Sequence, residues 1–173
     1  MIDLLPAAEK VAALLRERKH TVAVAEASAG GLISAALLAV PGASDYFLGG
    51  AVVYTAKARG ALLQVPGSAL EGMRPSTEPY ALLLAGAVRE RMGATWGIAE
   101  TGAAGPTGNR YGDAAGHACF GIAGPINASR TLETAQPDRA PNMHTFARAA
   151  LELLADTLAN APQADDQAGS VRR

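Results

Sequence analysis

The feature that most constrains the fold of this 173-residue chain is the alternation of short apolar segments with helical ones. Residues 21–25 (TVAVA) and 94–100 (ATWGIAE) are rich in apolar residues, as strands covered on both faces are. Segments such as 4–19 carry apolar residues at helical spacing. Because alternating strands and helices build a parallel sheet with helices on both faces, the sequence predicts an α/β fold, a three-layer α/β/α sandwich.

The second half of the chain adds an antiparallel element to this pattern. Residues 116–123 and 130–135 are separated by a turn at 124–127 (GPIN), a combination typical of a β-hairpin. We therefore expect a mixed sheet that is only partly parallel. A closing helix is predicted at residues 143–158, after which the sequence becomes small and polar.

The composition fits one globular domain. Hydrophobic residues make up 49% of the chain and charged residues 18%, which is enough to bury a core. We predict a single domain over residues 1–160 and a disordered tail over residues 161–173. The net charge is −1 and the basic residues are scattered, so neither a nucleic acid nor a membrane is expected as a partner.

Cysteine and histidine usage restricts the chemistry further. Cys119 is the single cysteine, and the amino terminus lacks the cationic and apolar pattern of a secretory signal, so we predict a cytoplasmic protein. The histidines (His20, His117 and His144) lie far apart in sequence without paired spacing. No metal and no cofactor are therefore expected.

Residues 101–116 (TGAAGPTGNRYGDAAG) have glycine at five of sixteen positions, too dense for a helix or a sheet ladder. They predict a loop at the carboxyl end of the preceding strand. Its backbone either passes close to a ligand or lets chain segments pack tightly, and both interpretations remain open. A Walker P-loop is excluded because no Lys-Ser/Thr pair follows Gly108.

Residues 25–31 (AEASAGG) link a predicted strand to a helix at 32–40. The amino terminus of a helix favours an anion or an oxyanion, so Ser28 is either a reacting group or an ordinary helix cap. Glu26 is either a solvent-facing strand end or a carboxylate that orients groups in a cleft.

Several motifs in their order along the chain resemble one family. Residues 25–31 resemble its AESCTGG, residues 50–54 its GGVVAY, and residues 101–108 its TGIAGPDG, within a similarity that spans roughly 5–158. The chain resembles the C-terminal domain of the competence/damage-inducible CinA proteins, the nicotinamide mononucleotide deamidase family. The resemblance implies an α/β/α domain, often oligomeric, whose enzymatic members hydrolyse the carboxamide of nicotinamide mononucleotide to the acid and ammonia without a metal.

The sequence departs from that family at two positions to which the resemblance assigns chemistry. The family's nucleophilic serine and basic lysine fall on Ala27 and Arg59. Alanine cannot attack a carbonyl, and the pKa of arginine, above about 12, prevents it from acting as a general base at neutral pH. We therefore expect a retained pocket without the family's deamidase chemistry, in a protein that acts as a binding or oligomeric scaffold.

Alternatives remain. In a rebuilt amidohydrolase site, Ser28 would be the nucleophile and Lys57 the base, with backbone N–H groups near Gly30 and Gly31 as the oxyanion hole. A different chemistry would use His117, Asp113 or Glu100. A non-catalytic oligomeric interaction module, whose glycine-rich loop holds a neighbouring subunit, is the alternative from another class.

In open α/β sheets ligands bind at the carboxyl ends of strands, so we expect the site between segments 28–31, 54–59 and 101–108. Tyr54 would stack on an aromatic ring of the ligand and Arg59 would pair with its phosphate or carboxylate. Arg139 would hold a phosphate or pair with Asp138. The expected ligand is a pyridine nucleotide or a related small anion, and a homo-oligomer is expected. The predicted ligand-binding residues are Glu26, Gly30, Gly31, Tyr54, Arg59, Thr101, Gly102, Gly105, Gly108 and Arg139.

Overall fold

The computed structural model describes residues 1–162 and contains one mixed five-stranded sheet in the order β2-β1-β3-β4-β5. Strand β1 pairs in parallel with β2 and β3, whereas β3–β4 and β4–β5 are antiparallel. The strands are β1 (Val22–Glu26), β2 (Phe47–Val52), β3 (Trp96–Ala103), β4 (His117–Ala123) and β5 (Ala128–Glu133).

Helices cover both faces of this sheet. Within residues 1–162 the α-helices are α1 (Leu5–Arg18), α2 (Leu32–Ala39), α3 (Ala56–Leu63), α4 (Glu78–Met92) and α5 (Arg139–Asn160). Helices α1, α2 and α5 share one buried core, which contains Trp96, Phe120 and Phe146, and α3 and α4 share the core on the other face. The predicted three-layer α/β/α sandwich with a mixed sheet is confirmed.

Among the element boundaries that differ from the prediction are those of β3 and α5. Strand β3 continues to Ala103, so the first residues of the glycine-rich segment belong to the strand and not to a loop, because β4 supplies an antiparallel partner as far as Ala103. Helix α5 begins at Arg139 and not at residue 143, because a proline, here Pro141, is tolerated in the first turn of a helix, where N–H groups have no intrahelical partner.

Two further predictions concern the carboxyl-terminal tail and a membrane. Ala161 packs into the core beside α5, and the rest of the predicted tail, from residue 163 to 173, lies outside the described residues. Among the helices of residues 1–162, none combines the length and apolar character needed to cross a membrane.

The parallel half of the sheet determines where the loops gather. Glu26, the last residue of β1, lies opposite Val52 on β2 and opposite Glu100 on β3. The segments that leave these three strands therefore emerge at the same edge of the sheet.

Candidate functional site

Two adjoining cavities lie at this edge of the sheet. The larger has a volume of about 510 Å³ and the smaller about 200 Å³. Both are lined by Tyr54, Gly102 and Asn109, so they form one cleft. The larger cavity extends toward α3 and α4, and the smaller one lies under the loop that follows β3 and beside the start of α5.

The three predicted segments meet in this cleft, but not through all of their predicted residues. Segment 54–59 contributes Tyr54 and Arg59, and the turn after β1 contributes Ser28 together with its neighbour Ala27. Segment 101–108 contributes a set that contains Thr101, Gly102, Gly105 and Gly108. Four of the predicted residues line neither cavity: Glu26, Gly30, Gly31 and Lys57.

Arg59 is half-buried in the wall of the larger cavity. Its Nη1 donates a hydrogen bond to the hydroxyl of Tyr80 at 2.8 Å, and its guanidinium carbon lies 5.9 Å from the centre of that ring. Its Nε is buried and has no hydrogen-bond partner among the described residues.

Arg139 and Tyr54 form a similar pair in the wall of the smaller cavity. The guanidinium of Arg139 donates to the carbonyl oxygen of Gly105 at 2.7 Å and to the hydroxyl of Tyr54 at 3.2 Å. The Tyr54 side chain remains largely exposed, so its ring is accessible between the two cavities.

The charges of the cleft are of one sign. The walls of the two cavities contain Arg59, Arg110 and Arg139, and no aspartate or glutamate belongs to the described lining residues. The nearby carboxylate of Asp113 is bound by Arg74 at 2.8 Å. Such a cleft attracts anionic groups, and guanidinium groups match the geometry of phosphates and carboxylates.

Glu26 is fully buried and serves the amino terminus of α2. Its carboxylate accepts hydrogen bonds from the backbone N–H of Ile33 and of Ser34, both at 3.0 Å, and from the Ser34 hydroxyl at 2.7 Å. The amino terminus of a helix favours an anion, and at α2 the Glu26 carboxylate is that anion. Gly31 is the N-cap residue of the same helix, and an added Cβ at Gly30 would lie 2.8 Å from the Met143 methyl group.

Glu100 is a second fully buried carboxylate, next to Glu26 across the β1–β3 pair. One of its oxygens accepts from the backbone N–H of Ala27 at 3.0 Å and of Ala29 at 2.8 Å, and the other accepts from the hydroxyl of Ser28. Burial raises the pKa of Glu100 to about 7, although these hydrogen bonds act in the opposite direction.

Lys57 does not contact Ser28. Helix α3 begins at Ala56, so Lys57 and Arg59 both lie on this helix and are about 200° apart around its axis. Arg59 lines the cavity, and Lys57 is exposed.

His117 lies behind the glycine-rich segment and lines neither cavity. Its Nε2 contacts the carbonyl oxygen of Ser76 at 2.8 Å, and its Nδ1 contacts Glu133. Burial acts to lower the pKa of His117, but the hydrogen bonds to Glu133 and Ser76 outweigh it and raise that pKa above its usual value. The contact of His117 with Ser76 links strand β4 to the segment before α4, and its ring also lies 3.8 Å from a carboxylate oxygen of Asp113.

The glycine-rich segment approaches its own protein closely. A Cβ at Gly105 would lie 3.1 Å from the Pro137 carbonyl carbon, at a φ of +114°, and a Cβ at Gly108 would lie 3.1 Å from the Asp113 carbonyl carbon. These glycines are explained by tight packing of the backbone, and both still line the smaller cavity. The two interpretations of the segment are therefore compatible.

Sequence reasoning missed several lining residues. Tyr80 lies on α4, and no motif connected it with Arg59. Arg110 and Asn109 lie within the glycine-rich segment, where a cation and an amide among glycines were the available signal.

Comparison with known proteins identifies the family. The family model for the CinA C-terminal domain matches residues 5–158 of this chain. The chain belongs to the CinA C-terminal domain family. The CinA resemblance predicted from the motifs is therefore confirmed.

Curated CinA-like proteins are similar over most of this chain. One from Desulfosudis oleivorans is 40% identical over 147 residues, which is 84% of this chain and 35% of that protein. One from Salinibacter ruber is 38% identical over 144 residues, 83% of this chain and 35% of that protein. This CinA domain thus spans about a third of the length of these curated relatives.

Solved CinA-superfamily structures share the fold. A competence-damaged protein superfamily member from Klebsiella pneumoniae has a TM-score of 0.84 at 25% identity, over 90% of this chain and 98% of that one. The competence/damage inducible protein CihA from Agrobacterium tumefaciens has a TM-score of 0.83 at 26% identity, over 91% of this chain and 96% of that one.

Proposed function

We propose that this CinA-like domain binds a small anionic ligand of the pyridine-nucleotide class in the cleft and lacks the family's deamidase chemistry. The observation that carries the proposal is the set of three arginines in cleft walls that contain no carboxylate among the described lining residues. A nucleotide phosphate matches that charge.

The shape of the cleft supports the same ligand class. The volume of the larger cavity, about 510 Å³, lies within the range of about 300–1,000 Å³ that is usual for small-molecule sites. The Tyr54 ring, which is largely exposed, offers an aromatic face on its wall that suits a planar base or pyridine ring. Guanidinium groups lie in both cavities, so a ligand that places its ring in one and its phosphate in the other would be complementary to the cleft.

The proposed loss of deamidase activity is argued from two residues in the wall of the larger cavity. Ala27 lines the larger cavity and carries no nucleophile, and a guanidinium such as that of Arg59 cannot serve as a general base. Lys57 is exposed, which argues against a role as the general base of a rebuilt amidohydrolase site. The homo-oligomer and the cytoplasmic location remain predictions, and light scattering of the purified protein would test the first.

Removal of the Arg59 guanidinium should weaken ligand binding. We expect Arg59→Ala to reduce the affinity for nicotinamide mononucleotide or its acid by about 1.5 to 3 kcal/mol, roughly 10- to 150-fold, which is the range for hydrogen bonds to charged groups. Isothermal titration calorimetry measures this loss. Arg130→Ala is the matched control, because Arg130 is an exposed cation on β5 that lines neither cavity. Equal affinities for wild type and Arg59→Ala would contradict the role of Arg59.

The purified domain should release no ammonia from nicotinamide mononucleotide above the rate without protein. Nucleophile and base each contribute orders of magnitude to the rate, and both positions are altered here. A coupled ammonia assay measures the rate, and turnover typical of an enzyme would contradict the prediction. The double variant Ala27→Ser with Arg59→Lys tests the assigned positions, since a gain of deamidase activity would support them.

A further inference from the structure

Ser28 and Glu100 form a hydroxyl–carboxylate pair at the edge of the cleft. Ser28 lines the smaller cavity, and its hydroxyl donates to an oxygen of the Glu100 carboxylate. Seventy-two positions separate the two residues in sequence, and the parallel pairing of β1 with β3 brings them together. The carboxylate lies behind the cavity wall and is fully buried.

We propose that Ser28 is a nucleophile of this site, that Glu100 is its general base, and that the cleft acts on small anionic esters. This inference rests on the proposed binding of small anions in the cleft. It assigns a catalytic pair at positions other than Ala27 and Arg59.

The position of Glu100 suits a base. The backbone N–H groups of Ala27 and Ala29 fix one carboxylate oxygen, which leaves the other directed at the Ser28 hydroxyl. A pair held in this way needs no rearrangement before the proton moves, and fixed geometry is a main source of catalytic rate. Lys57, the base predicted for Ser28 from the sequence, is exposed on the outer side of α3.

The acidity of Glu100 is consistent with the same role. Burial brings its pKa to about 7, and a general base is most effective when its pKa lies near the working pH. Glu26 on β1 is the titratable group beside it, β4 places Phe120 opposite it, and α5 contributes Arg139 to the wall of the smaller cavity. Arg139 is the cation that would hold the anionic part of a substrate near Ser28.

The reaction balances with water as the second substrate. The Ser28 Oγ forms a bond to the carbonyl carbon while its proton passes to Glu100. The bond from that carbon to the leaving oxygen then breaks, and the leaving group takes the proton from Glu100. Water attacks the acyl-serine with Glu100 again as the base, and the proton returns to Ser28 as the carboxylic acid leaves.

A second serine–carboxylate pair in the same chain provides an internal comparison. Ser129 donates to Glu78 at 2.5 Å, but neither residue lines the cleft. Hydrogen bonds from Ser129 and Thr131 lower the pKa of Glu78, so this carboxylate is a weak base. The proposal predicts that Ser28 is reactive and Ser129 is not.

Phenylmethanesulfonyl fluoride tests the proposal on the intact protein. Its sulfur forms a bond to the attacking serine oxygen and fluoride leaves, and the site of the adduct is found by peptide mass spectrometry. We expect labelling of Ser28 and not of Ser129, and we expect Glu100→Gln to slow labelling of Ser28 by about 100-fold or more, the lower range for general-base catalysis. Glu78→Gln is the matched control and should leave the rate at Ser28 unchanged.

Either of two results would overturn the inference: no adduct on Ser28, or equal labelling rates in wild type and Glu100→Gln. If Glu100→Gln does not fold, the wild-type protein still decides, because the labelling rate must rise with pH and level off above about pH 7. A rate that follows hydroxide concentration without a plateau would contradict the role of Glu100. Nucleotide affinity is measured separately by calorimetry, so retained binding with an inert Ser28 rejects this inference alone.

Discussion

An alanine in place of Gly121 should lower the free energy of unfolding by about 3 kcal/mol, the upper part of the usual range for overpacking. Its Cβ would lie 2.5 Å from the carbonyl carbon of Ala81 on α4, and 2.6 Å from both the Ala81 oxygen and the Leu82 nitrogen. All three are backbone atoms that cannot rotate away, so the helix must move off the sheet. Tyr80, the residue before Ala81, would then shift away from Arg59. Urea denaturation measures the change in stability.

Gly86→Ala is the matched control for this substitution. Gly86 lies on the same helix, and an added Cβ there meets nothing within 4 Å. Alanine is favoured over glycine inside a helix by about 0.5 to 1 kcal/mol, so this variant should be slightly more stable than the wild type. A Gly121→Ala protein as stable as the wild type would mean that α4 does not approach the sheet this closely.

The layers of the fold could be predicted because the signals for them are local. A strand such as β1 and a helix such as α1 each carry their pattern within a few residues, and alternation decides how they are layered. The family motifs also indicated the order in which the loops follow along the chain. The end of β3 could not be read from sequence alone, because the partner strand β4 sustains it through Gly102 and Ala103.

The cleft was predictable as a place but not as a set of contacts. The strand ends and the glycine-rich segment located it, and Tyr54 and Arg59 lie in its walls. Glu26 is an example. Its position at the end of a strand suited a ligand-binding role, but its carboxylate accepts hydrogen bonds from N–H groups at the start of α2, seven and eight residues later. A sequence pattern does not distinguish a buried cap from a binding group.

The partner of Ser28 depends on strand register. Lys57 was a reasonable base while the segment that contains it could be extended, but Thr55 caps α3 by accepting a hydrogen bond from the N–H of Ala58 at 3.1 Å. That cap starts the helix at Ala56 and turns Lys57 away from the cleft. Glu100 takes the place beside Ser28 because β1 and β3 pair in parallel, a contact that no local pattern encodes.

Glu100→Gln should stabilise the domain by about 3 kcal/mol at pH 8 and have little effect below about pH 4.5. Burial raises the pKa of Glu100 from 4.5 to about 7, so the folded state binds this proton more tightly than the unfolded state. The stability that depends on this group is therefore fully present below pH 4.5 and is lost as pH rises toward 7; the shift corresponds to about 3 kcal/mol. Glutamine imitates the protonated acid, because its oxygen can accept from Ala27 and Ala29 while its amide group donates to Ser28.

Urea denaturation of both proteins between pH 4 and pH 8.5 tests this prediction, and the difference between them isolates Glu100 from other titrating groups. Glu26→Gln is the matched control, since Glu26 is equally buried and lies opposite Glu100. Both of its oxygens accept from donors on α2, so an amide group there meets an N–H and loses a hydrogen bond. That variant should be destabilised by about 1 to 3 kcal/mol at pH 8. If both variants were destabilised at pH 8, Glu100 would be a structural acceptor like Glu26, and its pKa would not lie near neutral pH.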